Sequence, residues 1–255
     1  MTIIDLNQDR AKIVLLIHPM FASASIMKEL IAEHLGDQYR YLIPDLSGHG
    51  NSSGETYQSA QEESEKLYQY LKSEKIEEIT LALGLSLGGI VLLDLLKHKD
   101  IKFDKVIFEG TSLWQKSRLL NFLFRRGFLQ LRQKASKNKD LPLKKFAQVY
   151  GESMGKAMTK SLIEMDPESI KNIVHDCLYV KTPPLDLKEQ SKMKFYYGSK
   201  EILDLYQAKK RLAKLYPKAE LILWEGQNHC SKPCSEPLDY CKMLAAEIAA
   251  EARDN

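Results

Sequence analysis

Ser86 lies in the run Gly84-Leu85-Ser86-Leu87-Gly88-Gly89, which fits the pattern G-x-S-x-G. A short apolar run, 78–83, precedes it, and a very apolar helical pattern, 87–97, follows. Such a context demands a sharp turn from strand to helix with the serine at its apex, and the glycines leave room for the turn. The helix then aims N–H groups and a partial positive charge at any oxyanion that forms beside the serine. Gly151-Glu152-Ser153-Met154-Gly155 repeats the pattern letter for letter. The segment before it, KKFAQVY, starts polar and does not read as a buried strand. Ser86 is therefore the candidate nucleophile, and Ser153 reads as a chance match.

A serine hydroxyl is a weak nucleophile until a neighbouring base takes its proton, and histidine titrates in the right range. Of the six histidines, His34, His98 and His175 fall on helical patterns among charged neighbours and read as solvated. His229 follows an apolar strand pattern, 219–224, and a glycine-containing loop. It also completes the chain order nucleophile, acid, base. His229-Cys230-x3-Cys234-x6-Cys241 fits no standard zinc spacing, and a metal on His229 would remove the base. No phosphate-cradling loop or dinucleotide fingerprint occurs, so neither a metal nor a cofactor is expected.

The elements that must hold these residues alternate. Short β-rich runs at 12–17, 39–43, 78–83 and 105–108 alternate with amphipathic or apolar helical patterns at 25–35, 57–73 and 87–97. Pro44 is expected to stop the second strand. From 111 to 187 only helical patterns occur. The alternation resumes with a strand at 194–197, a helix at 203–215, a strand at 219–224 and a helix at 238–250. This order predicts an α/β fold with a mostly parallel central sheet flanked by helices. Residues 1–110 and 188–255 are expected to form its core, with 111–187 as a helical insertion.

With these elements in place, the chain resembles the α/β-hydrolase family, in particular its small esterase and lipase-like members. His18-Pro19-Met20-Phe21 stands after the first apolar strand, where that family has His-Gly-x-x. Pro44-Asp45-Leu46-Ser47-Gly48-His49-Gly50-Asn51-Ser52-Ser53-Gly54 follows its P-D-x-x-G-x-G-x-S loop, and Gly226-Gln227-Asn228-His229 follows its G-x-x-H. The resemblance covers about 1–110 and 190–255, and it implies that the helical insertion 111–187 is a lid or cap, since it lies where the family places one. It implies structural, backbone-bonded roles for His18 and His49. It also implies an oxyanion hole made by the N–H groups of Met20 and Leu87, the latter directly after the nucleophile. Pro19 replaces a glycine of the family but lies one residue before the expected donor.

The acid has three candidates. The family's Gly-x-x-Asp is Gly198-Ser199-Lys200-Glu201 in this chain. Glu201 therefore stands in the aspartate's place, with an extra methylene that demands a different backbone approach. Asp204 lies three residues on. Glu109 follows the strand at 105–108, where some relatives carry the acid.

The chain has 255 residues, 44% hydrophobic and 28% charged, with a net charge of +3. That is an ordinary globular composition and gives no reason to expect nucleic acid. The first residues, MTIIDLNQDRAK, do not read as a signal peptide. The longest uncharged stretch, 79–93, is 15 residues and too short for a membrane span. Four cysteines then suggest reduced thiols and a cytoplasmic protein. Residues 111–150 hold ten Lys/Arg and one acid, Asp140, a local charge of 10 − 1 = +9. Aromatic residues are interleaved with Arg118, Arg125, Arg126 and Arg132. Phe21, Arg125 and Arg126 are therefore candidate substrate contacts, and the basic rim could attract anionic substrates or an anionic lipid surface. The chemistry expected is hydrolysis of a small carboxylic ester, acylglycerol or thioester through an acyl-enzyme on Ser86. Two alternatives are a lyase or C–C hydrolase of the same fold, like the menaquinone-pathway relatives, with cap arginines holding carboxylates, and a binding protein without turnover.

Overall fold

The computed structural model describes residues 1–250. Seven strands form one sheet in the order β1-β3-β2-β4-β5-β6-β7. They are β1 (Thr2–Leu6), β2 (Ile13–Ile17), β3 (Arg40–Asp45), β4 (Glu78–Leu85), β5 (Lys102–Glu109), β6 (Met193–Gly198) and β7 (Glu220–Trp224). All neighbours are parallel except β1, which pairs antiparallel with β3. β2 (IVLLI) is apolar along its length and wholly buried, and β4 and β5 are buried over their C-terminal halves, because helices cover both faces.

β1 is an addition to the pattern expected from sequence. Its Asp5 receives two hydrogen bonds from Arg40, at 2.9 and 2.6 Å, which anchor this short edge strand to β3. Pro44 does not stop β3. It pairs with Ile3, and the strand runs on to Asp45. β2 pairs with β3 only as far as Leu42, so the missing proline N–H breaks no bond on that side. The helix expected at 25–35 spans 24–35 and carries a π-helical stretch, Lys28–Ala32. The helix expected at 57–73 begins at Ala60, where the Ser59 side chain accepts from the Glu62 N–H.

Between β5 and the short helix Leu187–Gln190 that precedes β6 lie four helices, Arg118–Lys137, Asp140–Tyr150, Glu152–Glu164 and Pro167–Leu178. The last is tied to the sheet domain by Asp176, which accepts from the Tyr57 hydroxyl at 2.8 Å and the Ala60 N–H at 2.6 Å. Among the described residues, no helix is long and apolar enough to cross a membrane.

Candidate active site

The turn from β4 into the helix Leu87–Leu95 places Ser86 at φ 49°, a left-handed conformation rarely adopted by a non-glycine residue. The packing imposes it. A Cβ on Gly88 would collide with the Ile17 carbonyl, and one on Gly84 would lie 2.6 Å from the Gly89 Cα. Only glycine lets the helix start so close to β2 and β4. Ser86 N–H donates to the Glu109 carbonyl at 2.8 Å, which fixes the turn against the end of β5.

His229 reaches this serine from the loop after β7. Its Nε2 lies 2.9 Å from Ser86 Oγ, and its Nδ1 lies 2.5 Å from Glu201 Oε2. The other Glu201 oxygen accepts from the Gly198 N–H at 2.7 Å, so the carboxylate is clamped to the end of β6. This clamp accommodates the extra methylene of glutamate. Burial opposes a charge on the imidazole, but the adjoining Cys230 and the Glu201 carboxylate together outweigh it and hold the His229 pKa well above the ordinary value. The adjoining Cys230 stays a neutral thiol at neutral pH, because burial pushes its pKa up to about 11.

The two other acids do different things. Asp204 accepts from Trp114 Nε1 at 2.8 Å. One oxygen each of Asp204 and Glu201 and a ring nitrogen of His229 lie within 4.8 Å of one another. A cation there would compete with the bonds His229 already makes to Glu201 and Ser86. Glu109 is fully buried, with Oε2 accepting from Trp224 Nε1 at 3.0 Å and from the Tyr240 hydroxyl at 3.4 Å. Burial raises its pKa to about 8. The structure thus aligns Glu201 on His229 and leaves Asp204 and Glu109 to other partners.

The N–H groups of Met20 and Leu87 make no hydrogen bond among the described residues. Leu87 opens its helix, where backbone N–H groups lack intrahelical acceptors. The loop carrying Met20 is held by buried groups. Asp45 accepts from the Ala24 N–H at 2.7 Å and the Asn51 N–H at 2.9 Å. His18 Nδ1 donates to the Pro19 carbonyl at 2.8 Å, while its Nε2 accepts from the Leu46 N–H at 3.1 Å. His49 is buried beside it, with ring centroids 4.8 Å apart. Burial lowers the His18 pKa to about 4 and that of His49 to about 3. Both are structural and neutral.

Ser86 and His229 open onto a cavity of about 580 Å³. Met20, Phe21, Phe128, Phe146, Tyr150 and Met158 contribute to its largely apolar wall. Phe146 and Tyr150 went unassigned in the sequence, although their spacing of four marks one helix face. Arg125 and Arg126 do not line this cavity. Arg125 Nε donates to the Lys171 carbonyl at 3.1 Å, and Arg126 is exposed on the outer surface. Arg132 Nε likewise donates to the Met165 carbonyl, at 2.7 Å. The expectation that cap arginines meet the substrate is therefore corrected: they brace the helical insertion or face outward. Ser153 is exposed in the first turn of its helix, away from the cavity. A larger cleft of about 780 Å³, lined by Asp94, Lys116, His175 and Asp176, contains neither Ser86 nor His229.

No curated protein matches the chain by sequence. Among solved structures, a bromoperoxidase from Bacillus anthracis superposes with a TM-score of 0.74 at 17% identity, covering 97% of this chain and 94% of that one. A thermophilic esterase from Thermogutta terrifontis gives 0.73 at 15%, covering 98% and 93%. MenH from S. aureus gives 0.69 at 18%, covering 99% and 98%. At these identities the likeness is one of fold. The sequence profile described as alpha/beta hydrolase fold matches residues 12–232. That span takes in β2, the Ser86 turn, Glu201 and His229, and the chain belongs to the alpha/beta hydrolase family.

Proposed function

We propose that this protein is a serine hydrolase of carboxylic esters, with Ser86, His229 and Glu201 as its triad and the inserted helices as a lid. The observation that carries the reading is the unbroken chain from Glu201 through His229 to Ser86, at 2.5 and 2.9 Å, facing an apolar cavity. Ser86 Oγ attacks the ester carbonyl carbon while its proton passes to His229 Nε2. Glu201 holds Nδ1–H and stabilises the imidazolium. The oxyanion lies between the N–H groups of Met20 and Leu87. The tetrahedral centre collapses, the C–O bond to the alcohol breaks, and His229 returns the proton to that alcohol. Water, deprotonated by the same nitrogen, then cleaves the acyl-enzyme and restores Ser86.

The cavity favours a neutral ester with an apolar acyl group. Its charged lining residues are Lys200, Glu201, Asp204 and, when protonated, His229, and no arginine is among them. A lyase that holds carboxylates on cap arginines finds no support in that lining. The test is fluorophosphonate labelling beside a panel of esters of graded acyl length. Ser86→Ala should abolish labelling and turnover, and Ser153→Ala should leave both intact. Labelling of Ser153, or labelling of Ser86 without turnover of any ester, would refute this reading.

A further inference from the structure

The helix Arg118–Lys137 inverts the usual placement of apolar residues in its first turns. Leu119, Phe122 and Leu123 form an outward stripe at spacings of three and four, and they are 69%, 61% and 49% exposed. Single exposed apolar residues are ordinary, but a contiguous stripe marks an interaction surface. Arg126 continues the stripe and Arg118 precedes it, both exposed. The helix holds six Lys/Arg and no acid, and Arg118, Arg126, Lys134 and Lys137 have no ion-pair partner among the described residues.

A second apolar group, Ile202, Leu203 and Tyr206, stands out from the start of the helix Ile202–Leu215, each more than 60% exposed. One cavity connects the two groups. Phe124, partly exposed, lines it from the first helix, and Asp204 lines it from the second. Trp114, just before the first helix, donates to that Asp204. Both helices thus line the cavity with one face and carry exposed apolar side chains on another, and among the described residues the first helix adds cations without an ion-pair partner.

We propose that this surface docks the protein on an anionic lipid bilayer, with the apolar side chains entering the interface and the cations beside them meeting the headgroups. Charge complementarity selects this occupant. A second copy would set the same unpaired cations against one another. A nucleic acid would use the cations but gain little from six exposed apolar side chains. An anionic lipid interface uses both. Docking itself stands on the surface alone. The further statement that the bilayer delivers the ester rests on the proposed hydrolase function.

The test is co-sedimentation of the full chain with vesicles of phosphatidylcholine alone or mixed with phosphatidylglycerol, across a range of salt. Two variants accompany the wild type, Leu119→Ser/Phe122→Ser/Leu123→Ser and Arg118→Glu/Arg126→Glu. None of these residues lines the cavity. The wild type should bind the anionic vesicles, and rising salt should weaken that binding as the screening length falls to about 10 Å at about 0.1 M. Each variant should lose about tenfold or more of that binding, as two surface cations or an inserted apolar group act additively. Hydrolysis of a short water-soluble ester should be unchanged in both variants. No binding to anionic vesicles, equal binding to neutral ones, or binding that both variants retain would overturn the proposal. So would a dimer in solution that the serine variant dissolves while vesicles capture nothing. Failure to hydrolyse any ester would instead strike the hydrolase reading and leave the vesicle result to stand or fall separately.

Discussion

Glu109→Gln should make the protein more stable at neutral pH, and the gain should vanish in acid. Glu109 is wholly buried, accepts from Trp224 and Tyr240 through Oε2, and leaves Oε1 without a partner. Its pKa is raised from 4.5 to about 8 by burial. Between those values the folded chain keeps a proton that the unfolded chain has released, so stability falls as pH rises. Below 4.5 the contribution is intact, and it is lost as pH climbs through about 8. At ~1.4 kcal/mol per pH unit, the full interval is worth ~5 kcal/mol, and ~3.5 kcal/mol of it is lost by pH 7. Glutamine cannot ionise and keeps the acceptor for Trp224 and Tyr240. Its NH2 takes the place of Oε1 and remains unpaired, which costs about 1–2 kcal/mol. The net gain at pH 7 should be ~2 kcal/mol, rising by pH 8 and reversing below pH 5. Urea unfolding of both proteins from pH 4.5 to 8.5 measures it, since contributions from other groups cancel in the difference. A difference independent of pH would refute the account of Glu109 as a neutral buried acid. Ester turnover should persist in Glu109→Gln, because Glu201 and not Glu109 is bonded to His229.

The pH dependence of kcat/KM should show a limb that rises with pH through an apparent pKa above 6.5, since the base acts when neutral and Glu201 raises its pKa. Glu201→Gln should move that limb to lower pH and reduce kcat by orders of magnitude; an unmoved limb would contradict the pairing. Gly88→Ala should abolish activity and lower stability by several kcal/mol, as read by thermal unfolding, because its Cβ meets the Ile17 backbone. Matched neutral and anionic soluble esters should show a preference for the neutral one that Arg126→Ala leaves unchanged; a salt-sensitive anionic preference lost in that variant would restore the arginine-lined pocket.

The features legible in the sequence were those fixed by local backbone demands. The Ser86 turn needs a strand, small residues and a helix in immediate succession, and all three are written within 78–97. His229 was reachable from its place after the last strand. The acid was less so, because three carboxylates converge on the C-terminal ends of β5 and β6 and their spacing does not say which way each points. Burial against Trp224 and Tyr240 turns Glu109 aside, and Trp114 takes Asp204. Pro44 misled because a missing N–H matters only while a neighbour strand is there to accept it, and β2 has left the ladder by Leu42. Arg125 and Arg132 misled because helical periodicity gives a face but not its direction. In Arg118–Lys137 they reach the Lys171 and Met165 carbonyls of the insertion itself, while Leu119 and Phe122 face outward.

One backbone oxygen ties Ser86 to the residue beside His229. The Glu109 carbonyl accepts from the Ser86 N–H at 2.8 Å and from Cys230 Sγ at 3.3 Å, so the residue beside His229 and the serine itself are hung from the same atom. Gly110 keeps the neighbouring space clear, since a Cβ there would lie 3.0 Å from the imidazole. The inserted helices contribute no donor to that oxygen. A local opening of those helices should therefore leave the 2.9 Å between Ser86 Oγ and His229 Nε2 unchanged. Protection against hydrogen exchange should divide the molecule accordingly. The Ser86 amide should exchange only with the whole sheet, on the slowest timescale the protein has. Amides of the outer helices should exchange through smaller openings, long before Ser86 and His229 come apart.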